Sequence, residues 1–252
     1  MPRTRGRAPA EGRADALSQE VVVGAAIALL DELGERGLTF RLLAEQLQTG
    51  TGALYWHVSN KDELVALAAD QVLGHAVAAD LDPAQSARTA LRKLAIAVFD
   101  AFDQHPWAAP HVSAPPTLTN ALRLLDRIGT LVARVGLPAE QHFAVSTVIS
   151  YYITGVGAQI ITPRVPLDAT MERDAYLAQT AERWQNLDPA DYPFLTRTAK
   201  DLRHHADRDQ FITGLDMLLR GLNTSANTGR DAACPHVLRG DSRVDQDGPP
   251  PQ

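Results

Sequence analysis

Between Arg41 and Lys61, Arg41, Thr51, Tyr55, His57 and Lys61 are among the side chains that can donate a hydrogen bond to a phosphate oxygen. A guanidinium and an ammonium bring positive charge, while hydroxyl, phenol and imidazole bring directed donors. Thr51, Gly52 and Ala53 precede the aromatic run. The Thr51 hydroxyl can hydrogen-bond a base edge and the Ala53 methyl can touch a thymine methyl, but the three residues offer few donors. Lys61 follows Asn60, a helix-capping type, so its ammonium would stand beside backbone N–H groups that also favour a phosphate. Near the start of the chain, Arg3, Arg5, Arg7 and Arg13 would suit an arm along a minor groove or a sugar–phosphate backbone, or would form a solvated tail. This chemistry would suit holding a nucleic acid while reading little of each base, so positioning would have to supply the rest.

The overall charge at first argues against such a partner. The 252 residues carry a formal net charge of −6. Residues 1–61, however, hold seven basic and seven acidic side chains, and the remainder holds 17 basic against 23 acidic, so the whole acidic excess lies in the later part. That asymmetry suggests two jobs on one chain. An apolar share of 45% with 21% charged residues excludes wholesale disorder. The single cysteine, Cys234, excludes a disulfide framework or a cysteine-based metal centre within one chain. Enzyme signatures are missing as well. There is no Gly-x-Ser-x-Gly elbow, phosphate-binding glycine loop or His-Glu-x-x-His, and His204, His205 and His236 lack a metal-ligand spacing. A non-enzyme without a cofactor or bound metal is expected, in the cytoplasm and on the nucleoid, because no export leader opens the chain.

Helices must position these groups. After Ser18 as N-cap, Val22, Ala26, Leu29 and Leu33 recur at helical spacing with Val23, Ile27 and Leu30 beside them, and Gly34 and Gly37 supply a stop. A short helix over 40–47 buries Leu43, Ala44 and Leu47. Gln48-Thr49-Gly50 breaks it, and a second short helix over 51–57 follows, with Leu54 and Val58 as core and Trp56 packed partly between helices. Asn60 then caps a longer helix, with Asp62 and Glu63 in its first turn where the dipole favours acid. Two short helices across a glycine-containing turn make a helix-turn-helix, whose second helix enters the major groove. Later helices are expected over 84–104, 118–135, 139–161, 167–186 and 207–222. Proline-rich linkers separate them, among them 188–193. The expected class is all-α: a basic arm over 1–17, the DNA-binding unit and linking helix over 18–72, a second helical domain over 73–222, and a disordered tail over 223–252. The stretch 141–163 carries no charged side chain, yet its polar residues and glycines argue against a membrane span. It reads as a central helix buried on every face and meeting a second subunit.

Three runs decide the resemblance: Thr39-Phe40-Arg41-Leu42-Leu43-Ala44-Glu45-Gln46-Leu47, then Ala53-Leu54-Tyr55-Trp56-His57-Val58, then Asn60-Lys61-Asp62-Glu63-Leu64. They closely resemble the DNA-binding domain of the tetracycline-repressor (TetR) family, over about residues 18–72. Beyond that the similarity is one of architecture, with weaker likeness around His105-Pro106-Trp107 and 151–159. Gly52 and Ala53 depart from the larger or more polar residues usual in tetracycline repressors, so their operator does not carry over. The resemblance implies a regulator, a repressor by expectation, that binds a palindromic double-stranded operator as a homodimer.

It also implies a four-helix dimer bundle, here from the helices at 139–161 and 207–222, with Phe211, Leu215, Leu218, Leu219 and Leu222. Gly155, Gly157 and Ala158 would allow close approach. A small, lipophilic effector is expected inside the second domain, where Phe99, Phe102, Trp107, Phe143, Tyr151 and Tyr152 cluster in sequence. The effector residues singled out are Phe102, Trp107, His111, Tyr151, Tyr152 and Gln159. His111 and Gln159 fall where tetracycline repressors place a His and a Glu that hold a drug–metal chelate. Gln159 cannot serve as an anionic ligand, so neither the metal nor tetracycline is expected. The alternative is a DNA-binding regulator without an effector, whose second domain only dimerises.

Overall fold

The structure, a computed structural model, describes residues 17–78, 82, 84–112, 118–161, 173–203 and 205–222. The arginines at 3, 5, 7 and 13, together with His204, Cys234, His236 and the 223–252 tail, lie outside the described residues. The fold is all-α, and no strand occurs among the described residues.

Ser18 starts α1 (Gln19–Gly37) by accepting the Val21 N–H on its hydroxyl at 3.2 Å, which satisfies one of the donors a helix leaves open at its start. Val22, Val23, Ala26, Leu29 and Leu30 are buried. Leu33, expected on the same stripe, is exposed. Just after it, Gly34 adopts φ +65°, a left-handed geometry that glycine takes without a Cβ clash, and the chain kinks there before one further turn. Gly34 therefore bends the helix rather than ending it. The stop comes at Leu38, whose N–H returns to the Gly34 carbonyl at 3.2 Å.

Thr39 caps α2 (Phe40–Gln46) through its hydroxyl to the Leu42 N–H at 3.2 Å, and Leu43 and Ala44 go inward. In the break that follows, the left-handed residue is Gln48 at φ 50°, not Gly50, and the Thr49 N–H reaches the Ala44 carbonyl at 2.9 Å. α3 (Thr51–Leu54) is shorter than the expected 51–57; the His57 and Val58 N–H groups both fold back on the Leu54 carbonyl, at 2.9 and 3.1 Å. Asn60 caps α4 (Lys61–Val77), its side-chain oxygen accepting the Glu63 N–H at 2.8 Å, while the Glu63 carboxylate accepts the Ser59 N–H at 2.7 Å. The Ser59 bond holds the Glu63 carboxyl below its usual range.

The second part of the chain comprises α5 (Ala87–Gln104), a 3-10 turn (Ala109–His111), α6 (Thr119–Val135), α7 (Ala139–Ile161), α8 (Arg173–Gln185), α9 (Pro193–Leu202) and α10 (Asp207–Gly221). α9 departs from the sequence expectation of a proline linker over 188–193 and no helix before 207. Pro193 in fact opens the helix, at the first position, where its missing N–H costs nothing. An aromatic stack ties α5, α10 and α7 together. Phe99 and Phe211 lie 4.4 Å apart, Phe211 and Tyr152 5.5 Å, and the Tyr152 hydroxyl donates to the Phe211 carbonyl at 2.9 Å. Two crossed bridges flank it: Arg92 of α5 to Asp216 of α10 at 2.7 Å, and Arg208 of α10 to Asp100 of α5 at 2.8 Å.

Gly157 serves this packing too. A Cβ there would stand 2.8 Å from the Phe102 ring, so the missing side chain lets α7 close on α5 within one chain, not on a second subunit as expected. Phe211, Leu215 and Leu219 likewise face the chain's own core and leave the dimer stripe predicted for them.

α7 is not buried on every face. Ser146, Ile149 and Ile153 go inward, whereas Ala144, Val148, Tyr151 and Gly155 form an exposed stripe at helical spacing, with Phe143 77% exposed beside it. On α10, Thr213 and Met217 are exposed, Met217 at 63%. Among the described residues no helix is long and apolar enough to cross a membrane.

Candidate nucleic-acid interface and effector region

α2 and α3 hold their outer surface rigidly from beneath. Leu43, Leu54 and Val58 are fully or nearly fully buried, and at about 1.5–3 kcal/mol for each large apolar side chain removed from water this anchors a unit of very few turns. Phe40 stacks face to face on Tyr55, ring centroids 4.8 Å apart and planes 7° from parallel, which fixes where the phenol points. Phe40 was not among the residues expected at the site. Thr51 and Gly52 are exposed and Ala53 is half-buried, so the start of α3 presents the small surface that the sequence implies.

Trp56 departs from expectation. It is 88% exposed, not packed between helices, because Leu54 and Val58 take the inward positions on either side and leave Trp56 pointing out. A large indole in water is costly for an isolated fold and fits a surface made to be covered. Arg41 stands out from α2, donating to Glu45 at 3.0 Å; both side chains are exposed, so the pair contributes little and can be exchanged for a phosphate. His57 is half-buried, and its carbonyl accepts from the Gln19 amide at 2.9 Å. Lys61, expected as a phosphate clamp, donates its ammonium to the Glu35 carbonyl. Its first partner is therefore the end of α1.

α4 runs from this surface into the second domain, and α6 grips it at two points. Asp70 is buried (8% exposed) and caps α6: its carboxylate accepts the Asn120 N–H at 3.0 and 3.1 Å, the Ala121 N–H at 3.0 Å and the Asn120 side-chain amide at 3.1 Å. In return Arg127 of α6 donates to the Val77 carbonyl at the end of α4. Each helix thus satisfies orphan backbone groups of the other.

A short helix-turn-helix joined to a helical domain by one long helix is an arrangement found in known proteins. The family described as "Bacterial regulatory proteins, tetR family" matches residues 22–68, and "Tetracyclin repressor-like, C-terminal domain" matches residues 81–226. The chain belongs to the TetR family of transcriptional regulators. One relative in the family is the HTH-type transcriptional repressor DrrR1 of Streptomyces coeruleorubidus, 29% identical over 91% of this chain and 86% of its own. The structure of the transcriptional regulator SCO7222, a TetR from Streptomyces coelicolor, is 40% identical, with a TM-score of 0.68 over 82% of this chain and 98% of that one. ActR of the same organism, solved in complex with actinorhodin, is 25% identical with a TM-score of 0.68, covering 84% of this chain and all of ActR.

The six residues singled out for an effector lie in different surroundings. Phe102 is fully buried beneath Gly157, and Trp107 is nearly buried with its indole N–H donated to Asp31 at 2.8 Å. His111 pairs with Glu35 at 2.8 Å. Tyr151 and Gln159 are exposed on α7, and Tyr152 belongs to the aromatic stack, where burial pushes its phenol above the usual range. Beside His111, Asp70, Val112, Leu118 and Ala121 line a space of about 10 Å³, room for one water at most. No group of three metal-ligating side chains occurs among the described residues.

Proposed function

We propose that the chain is a repressor that binds a palindromic operator as a homodimer, with Thr51, Gly52 and Ala53 at the base edges and Arg41, Tyr55, His57 and Lys61 at the phosphates, and that a small lipophilic molecule releases it. The carrying observation is the turn that follows α3, where Tyr55 and Trp56 stand in water on a buried Leu54–Val58 footing. Trp56 joins the surface as an apolar and stacking contact. The exposed stripe of α7 with Met217 of α10 supports the homodimer, because two copies pairing there would bury Phe143, Val148 and Tyr151 and set two α3 segments on one side of the duplex. The ActR complex with actinorhodin supports a small-molecule ligand.

A release mechanism needs a ligand that binds one spacing of the two α3 segments better than the other. Trp107, His111 and the α6 start lie against α4 and α1, so a molecule lodged there moves the helices that carry α2 and α3. The tight packing around Phe102 and the small space beside His111 favour the second reading, a regulator that only dimerises through this domain. The two readings and the operator are tested together. The full-length protein is used to enrich duplexes from a random library and from the DNA flanking its own gene, and compounds are then screened for a rise in melting temperature with loss of DNA. An enriched palindrome with no releasing compound supports the second reading; no enriched palindrome overturns both.

A further inference from the structure

We propose that the end of α1 is a second route, beside α4, by which residues 105–111 set the attitude of α2 and α3, with Asp31 and Glu35 as its positioning residues; this rests on the operator-binding reading above. The two carboxylates are four residues apart, on either side of the kink at Gly34, and each is held by the second domain. Asp31 accepts the Trp107 indole N–H and pairs with the His105 ring, both at 2.8 Å, while Glu35 pairs with the His111 ring at 2.8 Å.

Gly34, with φ +65°, lies between them. Asp31 belongs to the long body of α1, anchored by Val22, Ala26 and Leu30; Glu35 belongs to the single turn beyond the kink. A displacement of His111 relative to Trp107 therefore bends α1 at Gly34 instead of carrying the whole helix. That last turn leads into α2 through Leu38 and Thr39 alone. The Glu35 backbone carbonyl also receives the Lys61 ammonium at the first residue of α4. Glu35 thus joins three elements: residues 105–111 by its carboxylate, α4 by its carbonyl and α2 by the chain. A ligand competing for the His111 ring or the Trp107 indole would free the turn that orients the reader, with no need to shift α4 first. Mere adhesion between domains would stabilise the protein without altering how the reader is aimed, and the two cases give different measurements.

The test uses the full chain as Glu35→Ala, His111→Ala, the double variant, and His111→Gln, which keeps a side-chain N–H donor. Affinity is read by fluorescence anisotropy on the duplex that the wild type enriches and on a scrambled duplex of equal length. Hydrogen exchange of the free protein is followed over residues 38–58. Each single alanine variant should weaken the enriched duplex about 3- to 10-fold, the range in which such networks modulate coupling. The double variant should be no worse than the weaker single, the scrambled duplex should be unaffected, and His111→Gln should recover most of the loss. Exchange over 38–58 should quicken in the alanine variants. Additive losses, an equal loss on both duplexes, tighter binding, or unaltered exchange overturn the proposal. If no duplex is enriched, the operator reading fails, and the exchange experiment alone still decides whether Glu35 and His111 hold α2 and α3.

Discussion

Asp70→Ala tests the joint between the reader's long helix and the second domain. The Asp70 carboxylate receives two backbone N–H groups at the start of α6 and the Asn120 side-chain amide, all between 3.0 and 3.1 Å, in a buried setting. Leu118, at the N-cap position of α6, makes no side-chain cap bond of its own, so nothing local replaces the carboxylate. Loss of a helix cap costs about 1 kcal/mol. Leaving a buried donor without a partner adds about 1–3 kcal/mol, so a destabilisation of about 2–4 kcal/mol is expected, equivalent to roughly 5–15 °C in melting temperature for a chain of this size. Asp70→Asn should fall between wild type and alanine, since it keeps one acceptor oxygen but turns an amide N–H₂ toward the same donors. The measurement is urea unfolding at one fixed protomer concentration, because association would make the midpoint concentration-dependent. An alanine variant within about 0.5 kcal/mol of wild type, the range of ordinary surface changes, or an asparagine variant worse than alanine, would refute the view that this carboxylate caps α6.

Gly157→Ala should cost about 1–3 kcal/mol by driving a methyl into the Phe102 ring, measured by the same unfolding experiment; a neutral result would mean that α5 and α7 are not in close contact. Val148→Asp, in the exposed stripe of α7, should shift the protein toward monomer in sedimentation velocity and weaken the enriched duplex, while leaving the melting of the monomer unit nearly unchanged. Glu63 gives a pH signature. Its folded carboxyl lies below the ordinary value of 4.5, so its contribution is fully present above that value and is lost as pH falls through the lower folded one. The stability gap between wild type and Glu63→Gln should thus be constant near neutrality and close in acid, as followed by thermal unfolding across pH; a gap that widens in acid would contradict the Ser59 bond as its cause.

What was legible in the sequence was local. Ser18 and Asn60 announce their helices because a cap is an interaction over three residues, and both accept the expected N–H. The inward Leu43, Leu54 and Val58 follow from spacing. Trp56 was misplaced because residue type suggests burial, whereas the turn after α3 decides which of two neighbouring directions is core. α9 was missed because proline reads as punctuation, and only its place at the first helical position distinguishes a start from a stop. Gly157 and the stripe on α10 were assigned to a partner because a small residue or an apolar face records close approach without saying to what. The pairs from Asp31 and Glu35 to His105, Trp107 and His111 span more than 70 residues, and nothing in spacing connects them. Such contacts exist only once the two domains are docked.

The chain's three tryptophans also occupy three different surroundings: Trp56 in water on the reader, Trp107 nearly buried, and Trp184 half-buried on α8. The protein consequently carries its own optical reporter. A collisional quencher such as iodide, which stays out of the core, reaches the Trp56 indole first. The emission it removes should be the red-shifted part, and the light that survives should come mostly from the indole against Asp31. Any ligand or duplex that covers one and disturbs the other would then move two separable signals, without a label and without altering a single residue.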